Sequence, residues 1–515
     1  MKTTASPDMG AHAHVNKPLF AITGGFIALF CLTALIDLDA LSQAVDTGFA
    51  FAARYFGLYW QALLLGTFLI GMVLVVLPGG RAVMGGRDTP EFTLFQWAAM
   101  VMCTLLAGGG VFWAAGEPMA HFLSPPPYFA DKATPGLQAA LAQSFLHWGF
   151  LGWAILGALT TVMLMFYHYE KGLPLAPRTL LYPLFGRHAL HGPIGLLADA
   201  SCIIAVVAGT VGPIGFLGLQ VSYGLHELFG LPEGLATQAS VIAGLVLLYT
   251  VSAMTGLSRG IQILSRFNVI LAALLLAFIL VAGPTGFVFE AFATSFVTYL
   301  KNFFGMALHR GSADFFSAPG WLGWWTVFFW GWFLGYGPLM AIFIARISRG
   351  RSIRAIVLML AIVAPVATNF WFTILGGTGL AFEQANPGSI SAAFEGFNLP
   401  AALLAITQHL PLGFLVSVLF LVLTTVFVAT TGDSMTYVIA VTLSDEDRPA
   451  MAVRVFWGLA MGLMALILVT LGSGGVDKLQ SFIVVTAAPV SLVLLPSLWD
   501  ALRITLEKGR TRAKG

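Results

Sequence analysis

WTVFFWGWFLGYGPLM, residues Trp325–Met340, is apolar and uncharged from end to end, yet it carries Gly331, Gly335, Gly337 and Pro338. A second stretch, CTLLAGGGVFWAAGEP at Cys103–Pro118, places Gly108, Gly109 and Gly110 in the middle of an equally apolar run. Glycine and proline release backbone groups from helical hydrogen bonding. At membrane depth this is tolerated only where the freed groups line a cavity or a site. Small residues also allow helices to pack closely, and that alternative stays open for each glycine. Position favours the first reading. One stretch opens a set of five apolar spans and the other opens the next set. Five is odd, so the second set runs inverted relative to the first. Interrupted helices at corresponding places of inverted repeats are the mark of a secondary transporter.

Outward from these two stretches the chain is apolar almost throughout. Of 515 residues, 58% are hydrophobic and 9% charged, against about 25% charged in soluble domains. This excludes a soluble enzyme and a disordered or fibrous chain. The continuous apolar runs exclude an outer-membrane barrel, whose strands alternate. Apolar spans are expected near 18–36, 57–78, 95–115, 139–167, 194–225, 237–256, 265–284, 320–346, 355–380, 401–441, 451–471 and 478–499. The expectation is therefore an all-α integral membrane protein with 12 transmembrane helices. About 20 residues cross ~30 Å of hydrocarbon, so the longer spans should tilt or break. Phe287–Met306 carries Glu290 and Lys301 and reads as an interfacial helix.

Charge tests this count. With the N-terminus inside, five of the 25 Lys+Arg (Arg54, Lys132, Lys301, Arg310 and Lys478) fall outside, leaving 20 inside. The positive-inside rule predicts such a split. An added or lost span would scramble every later loop, so both termini are expected in the cytoplasm. The organisation is then a tail at 1–17, two N-terminal helices and a loop at 18–94, a first five-helix repeat at 95–284, an outer interfacial helix and loop at 285–319, a second repeat at 320–499, and a short basic tail at 500–515. The first 17 residues lack the apolar core and cleavage site of a removable signal. The tail from Arg503 reads as a topology anchor facing anionic lipid. Arg346, Arg349, Arg351 and Arg354 should face the cytoplasm and make inner-gate or lipid contacts. The net charge of +2 argues against nucleic acid as a partner. Cys31, Cys103 and Cys202 lie in apolar runs without metal spacing and read as small buried hydrophobes.

Aromatic residues gather in two spans. The fourth, SFLHWGFLGWAIL, holds Trp148 and Trp153. The eighth holds Trp324, Trp325, Trp330, Trp332, Phe333 and Tyr336. Tryptophan ordinarily marks the interface, which suits Trp324 and Trp325. Trp330, Trp332 and Phe333 lie deeper. Aromatic faces at depth can hold a cation that offers no hydrogen-bond donor, such as a trimethylammonium group, at roughly 0.5–2 kcal/mol per ring. Plain packing explains any single ring equally well. In the tenth span, LTTVFVATTGDSMTYVIA, Thr430, Thr431 and Asp433 stand in apolar sequence. Hydroxyl oxygens suit a small hard cation, although threonine also bonds back to its own helix. Asp433 fits a structural role better than a ligand. Glu117 and His147 are weaker candidates, and Asp199 suits a helix N-terminus. A channel lacks a continuous polar lining here. An enzyme lacks a catalytic constellation, and no organic cofactor is implied.

From Leu63 to Leu443 the chain resembles the betaine/carnitine/choline transporters. The resemblance is carried by PEF (Pro90–Phe92), FWAAGEP, FLHWGFLGWAI (Phe145–Ile155), GIQILSRFN (Gly260–Asn268), WTVFFWGWF, ARISRGRSIR (Ala345–Arg354) and TTGDS (Thr430–Ser434). It implies a LeuT-like fold of two inverted five-helix repeats plus two N-terminal helices, frequent homotrimers, and residence in a bacterial cytoplasmic membrane. It further implies sodium-coupled uptake of quaternary ammonium or sulfonium solutes by alternating access. The substrate site then draws on Trp148, Trp153, Trp330, Trp332, Phe333 and Tyr336, with Gly108 and Gly109 of the third span. A sodium ion would use Thr430 and Thr431, with Phe427 nearby and the backbone carbonyls of Cys103 and Leu106.

The sequence also departs from the family pattern. The usual adjacent tryptophans of the eighth span are Trp332 and Phe333, and a further family tryptophan is Tyr336. A cage tyrosine of the fourth span is Leu156, and the usual Gly-x-Gly-x-Gly is shifted to LLAGG at Leu105–Gly109. A second sodium site would need two threonines where Val206 and Thr210 stand, so it looks incomplete. Sodium-independent exchangers of the family carry an arginine in the fifth span, and this sequence has none between Arg187 and Arg259. A different zwitterion, such as an amino acid or a sulfonate, remains the alternative substrate, and sodium-independent exchange the alternative mode.

Overall fold

The computed structural model describes residues 15–105, 109–254, 258–311, 320–444, 449–472 and 476–514. Among them helix accounts for nearly all regular structure. The only strand-like feature is an isolated antiparallel bridge between Val83 and Ser352. The helices run, in chain order, α1 (Lys17–Ile36), α2 (Leu38–Val76), α3 (Leu94–Leu105), α4 (Val111–Leu123), α5 (Gly136–Trp148), α6 (Phe150–Ile155), α7 (Thr160–Met165), α8 (Tyr182–Phe185), α9 (Arg187–His191), α10 (Pro193–Phe229), α11 (Leu235–Met254) and α12 (Ser258–Ala282). They continue with α13 (Thr285–Ala307), α14 (Phe328–Ile347), α15 (Ile353–Leu358), α16 (Ala364–Phe372), α17 (Thr378–Ala385), α18 (Ala402–Gln408), α19 (Gly413–Ser444), α20 (Met451–Leu471), α21 (Asp477–Leu494) and α22 (Ser497–Lys514).

Ten helical runs are long and apolar enough to cross a membrane, or 11 if the bent pair Arg266–Ala282 and Thr285–Ala307 counts as one. The expected 12 is not reached among the described residues. The third expected span contains residues 106–108, which lie outside them. The bend between α12 and α13 is 102°, so α13 cannot continue the line of α12. The expected 401–441 span divides at Leu412, a residue with φ of 58°, into the short α18 and the long α19. The second span starts well before position 57. Asp37 caps α2 by accepting from Ala40 N at 2.9 Å. The resulting 39-residue helix is about 58 Å long, far more than ~30 Å of hydrocarbon.

The eighth span corrects a central expectation. Gly323–Val327 forms a π-turn, and α14 then continues unbroken through Gly331, Gly335, Gly337 and Pro338. Its glycines serve packing. A Cβ on Gly331 would stand 3.1 Å from the Trp60 ring, and one on Gly335 would stand 3.4 Å from Ala205. In lipid the hydrophobic effect does not drive helices together, so close small-residue contact takes its place. The chain breaks in the fourth span instead. Gly149 separates α5 from α6 with φ −97° and ψ −135°, and any Cβ there would stand 2.1 Å from the Phe145 carbonyl. The break turns Trp148 and Trp153 toward different neighbours.

At one end of the bundle two loops are stitched together. Met84 N donates to Arg351 O, Gly350 N to Met84 O, and Ile353 N to Ala82 O. Arg349 donates to Gly85 O at 3.0 Å, Arg351 to Phe92 O at 2.7 Å, and Arg354 to Val75 O at 2.6 Å. These arginines are therefore engaged with backbone carbonyls rather than held free for lipid. The C-terminal segment is also more than an anchor. As α22 it packs on the turn Pro78–Arg81, where a Cβ on Gly79 would stand 1.8 Å from Thr505 O. Lys508 pairs with Glu170, and Arg503 with Asp500. Asp199 lies inside α10 and pairs with Arg178 at 2.6 Å, so its role is an ion pair rather than a helix N-terminus.

Candidate functional site

Trp148 ends α5 fully buried. Its indole N–H donates to Glu117 Oε2 at 2.8 Å. The other carboxylate oxygen, Oε1, lies 2.6 Å from His147 Nδ1 and 3.1 Å from His121 Nε2. His147 Nε2 in turn lies 3.0 Å from both Thr326 Oγ1 and Gln143 Nε2. One polar cluster thus joins α4, α5 and the π-turn that opens the eighth span. Burying a carboxylate without partners would cost several kcal/mol; the Trp148 N–H offsets that cost, as do the imidazole nitrogens in the tautomers that carry a proton toward Glu117. The three groups could also suggest a metal centre. Two ligands at about 2.1 Å from a tetrahedral ion stand about 3.4 Å apart. The 2.6 Å between Glu117 and His147 is a hydrogen-bond distance instead.

The Trp148 ring meets Phe333, Trp332, Phe329 and Phe372 at centroid distances of 5.4, 5.9, 5.5 and 5.1 Å. Trp332 and Phe333 stack at 15°. Of the expected cage, Trp148, Trp332 and Phe333 are therefore together, with Phe329 and Phe372 added. Gly109 belongs to the same place, since a Cβ there would stand 2.7 Å from the Trp332 ring. Trp153 is equally buried but aims its N–H at Thr368 Oγ1, 3.0 Å away. Trp330 points to another face of α14, where its ring meets His147 at 5.8 Å. Tyr336 reaches α10, with its hydroxyl 3.1 Å from Thr210. Trp332 also reaches α10, donating to the Gly209 carbonyl at 3.2 Å. Gly108 lies outside the described residues.

The expected ion site is described in part. Thr430 Oγ1 donates to Val426 O and Phe427 O of its own helix, at 3.0 and 3.1 Å. The Thr431 hydroxyl is buried with no hydrogen-bond partner among the described residues. Phe427 is 6% exposed. Cys103 has helical backbone in α3, and Leu106 lies outside the described residues. Asp433 is held by Arg454 of α20 and by Ser252 of α11 at 3.1 Å. That matches its expected structural part.

The family model for BCCT, betaine/carnitine/choline family transporter, matches residues 18–510. This chain belongs to the betaine/carnitine/choline transporter family. A relative in Vibrio parahaemolyticus serotype O3:K6 (strain RIMD 2210633), named glycine betaine transporter 2, is 56% identical over 497 residues, covering 96% of this chain and 91% of the relative. The glycine betaine transporter OpuD of Bacillus subtilis (strain 168) is 32% identical, covering 95% and 94%. The high-affinity choline transport protein of Escherichia coli (strain K12) is 30% identical, covering 95% and 72%. Among solved structures, that of MhsT in complex with L-phenylalanine matches at a TM-score of 0.42 and 14% identity, over 82% of this chain and 99% of that one. Family membership and the apolar helices together make this BCCT member a multi-pass membrane protein of a transporter family.

The sequence reading did not single out His121, Gln143, Thr326, Phe329 or Phe372. The signal for the first two was a spacing. Glu117 and His121 are four apart, as are Gln143 and His147, so each pair shares a helix face. Polar residues facing one another across two apolar helices report a joint network. Phe372 had no local signal, because only the packing of α16 against α5 brings it to Trp148.

Proposed function

We propose that this BCCT member imports a betaine-like quaternary ammonium or sulfonium solute, coupled to sodium, by alternating access, and performs no enzymatic chemistry. The observation that carries the solute class is the buried group of Trp148, Trp332 and Phe333. Its rings offer faces to a cation that cannot be hydrogen-bonded, at roughly 0.5–2 kcal/mol each. The names of the relatives, glycine betaine and choline transporters, support the same class. Sodium coupling draws on the buried, unpartnered hydroxyl of Thr431, an oxygen suited to a hard cation. We place the chain in a bacterial cytoplasmic membrane, as a homotrimer with both termini inside. Sodium-independent exchange is the second reading, because the Thr430 hydroxyl is spent on its own helix.

Uptake into proteoliposomes tests both readings. Glycine betaine, choline, an amino acid and a sulfonate are offered with and without an inward sodium gradient. Accumulation of a quaternary ammonium solute only with the gradient is expected. Equal uptake when potassium replaces sodium would transfer the case to exchange. Uptake of the amino acid alone would refute the solute class.

A further inference from the structure

The Glu117 cluster lies outside the aromatic group itself, yet it touches Trp148 directly. With both imidazoles neutral, Glu117 is a carboxylate receiving three N–H groups, from His147, His121 and Trp148. His147 Nε2 is then the acceptor for Thr326 or Gln143. The cluster carries one negative charge in this form. It also keeps one open proton position. His121 Nδ1 is buried with no hydrogen-bond partner among the described residues, and a proton there makes the cluster neutral.

We propose that Glu117, His147 and His121 form a proton-holding site behind Trp148, and that a proton on it and a cationic headgroup on the Trp148 ring oppose one another. The inference rests on the solute class proposed above. The cluster joins the indole through its N–H, and the same indole packs against Trp332, Phe333 and Phe372. The proton at the edge of this indole and the positive headgroup against its aromatic neighbours are like charges close together and away from water, so they repel strongly. By linkage, a headgroup that binds expels the proton to solvent, and a bound proton weakens the headgroup.

Other titratable groups on the packed elements are turned elsewhere. On α13, Glu290 and Lys301 are exposed, and Tyr299 is buried against Phe145 and Phe150. On α17, Glu383 is held by the backbone N–H groups of Gly388, Ile390 and Ser391. Glu395 is exposed, and His409, just past α18, bonds to Ala405 O. From α10 the contact to α4 is made by Phe216 on Phe112 and Trp113. Its nearest titratable group, Tyr223, is about two turns further along. On α14, Tyr336 is engaged with Thr210, and Arg346 lies at the far end of the helix. The described side chains of α3, α6 and α16 include no titratable group.

The test uses the purified full-length chain in lipid nanodiscs with glycine betaine, whose carboxylate stays ionised from about pH 5.5 to about 8.5. Binding is titrated by tryptophan fluorescence. Protons released are counted by calorimetry in two buffers of different ionisation enthalpy. Expected are a dissociation constant about tenfold weaker at the acid end and release of up to one proton on binding. Glu117→Gln should still bind, with no pH dependence and no proton release. The proton count on the unaltered chain decides the matter even where that variant fails to fold. A dissociation constant flat across the range without proton release, or one that tightens toward acid, overturns the inference and leaves the proposed function standing. Absence of binding by any quaternary ammonium solute at every pH overturns the solute class and this inference with it.

Discussion

Tyr336 Oη lies 3.1 Å from Thr210 Oγ1, and Thr210 donates its single hydroxyl proton to the Val206 carbonyl at 2.7 Å. Tyr336 is therefore the donor in the pair. The bond ties α14 to α10 where a second sodium site would need a threonine oxygen. Tyr336→Phe should cost about 0.5–1.5 kcal/mol of stability and leave KM for the solute within a few fold. Tyr336→Trp should cost more, about 1–3 kcal/mol. The tyrosine ring already stands 2.3 Å from where a Cβ on Gly209 would be, so an indole has no room. Thermal unfolding in detergent, read beside uptake kinetics, checks both. A Tyr336→Trp variant as stable as the parent would contradict the packing.

The two threonines of the tenth span should behave differently. Thr431 offers an uncommitted hydroxyl, whereas Thr430 is already bonded to its own helix. Thr431→Ala should raise the sodium concentration for half-maximal uptake by about tenfold, the equivalent of ~1.4 kcal/mol. Thr430→Ala should move it by no more than about threefold. The measurement is solute uptake against sodium at constant ionic strength, and a reversed order would refute the assignment.

Trp148→Phe keeps a ring and removes the N–H. Glu117 would then lose one of three donors, at about 1–3 kcal/mol, while a weaker cation–π face remains. The expected result is a KM raised about tenfold with folded yield reduced but measurable. An unchanged KM would show that the ring does not face the headgroup.

Asp433 and Arg454 form a pair that joins α19 to α20, with the aspartate 1% and the arginine 15% exposed. Removing one partner of a buried pair strands the other, at about 3–5 kcal/mol. Asp433→Asn should therefore lower thermal stability strongly, while the protein that folds binds solute as before. Lost binding at full stability would reassign Asp433 to the transport site.

Much of the architecture was readable because membrane helices write themselves as long apolar runs. The aromatic ends of the fourth and eighth spans were readable for the same reason. Trp148, Trp332 and Phe333 stand out against a uniform background. What could not be read depended on partners distant in the chain. The glycines of the eighth span suggest a break or a contact equally well. Only the nearness of Trp60 to Gly331 and of Ala205 to Gly335 decides for contact. The turn at Gly149 was hidden for the converse reason, since a single glycine before a phenylalanine is unremarkable in sequence. Thr430 and Thr431 are identical neighbours in composition, and the helix rotation alone makes one hydroxyl committed and the other not. Asp37 starts α2 well before the apolar run expected at 57–78, because its cap bond to Ala40 N depends on backbone geometry that the apolar pattern does not report.

The loops joined through Met84 and Arg351 have a mechanical consequence. A carrier that opens to one side and then the other must hinge somewhere, and a hinge needs backbone that yields cheaply. The joint between α2 and the α14–α15 corner is closed by backbone bonds in both directions and by three arginines that clasp carbonyls. Separating these ends would forfeit all of those bonds at once. In such a cycle that corner is expected to travel as one piece, leaving the bending to joints with fewer ties.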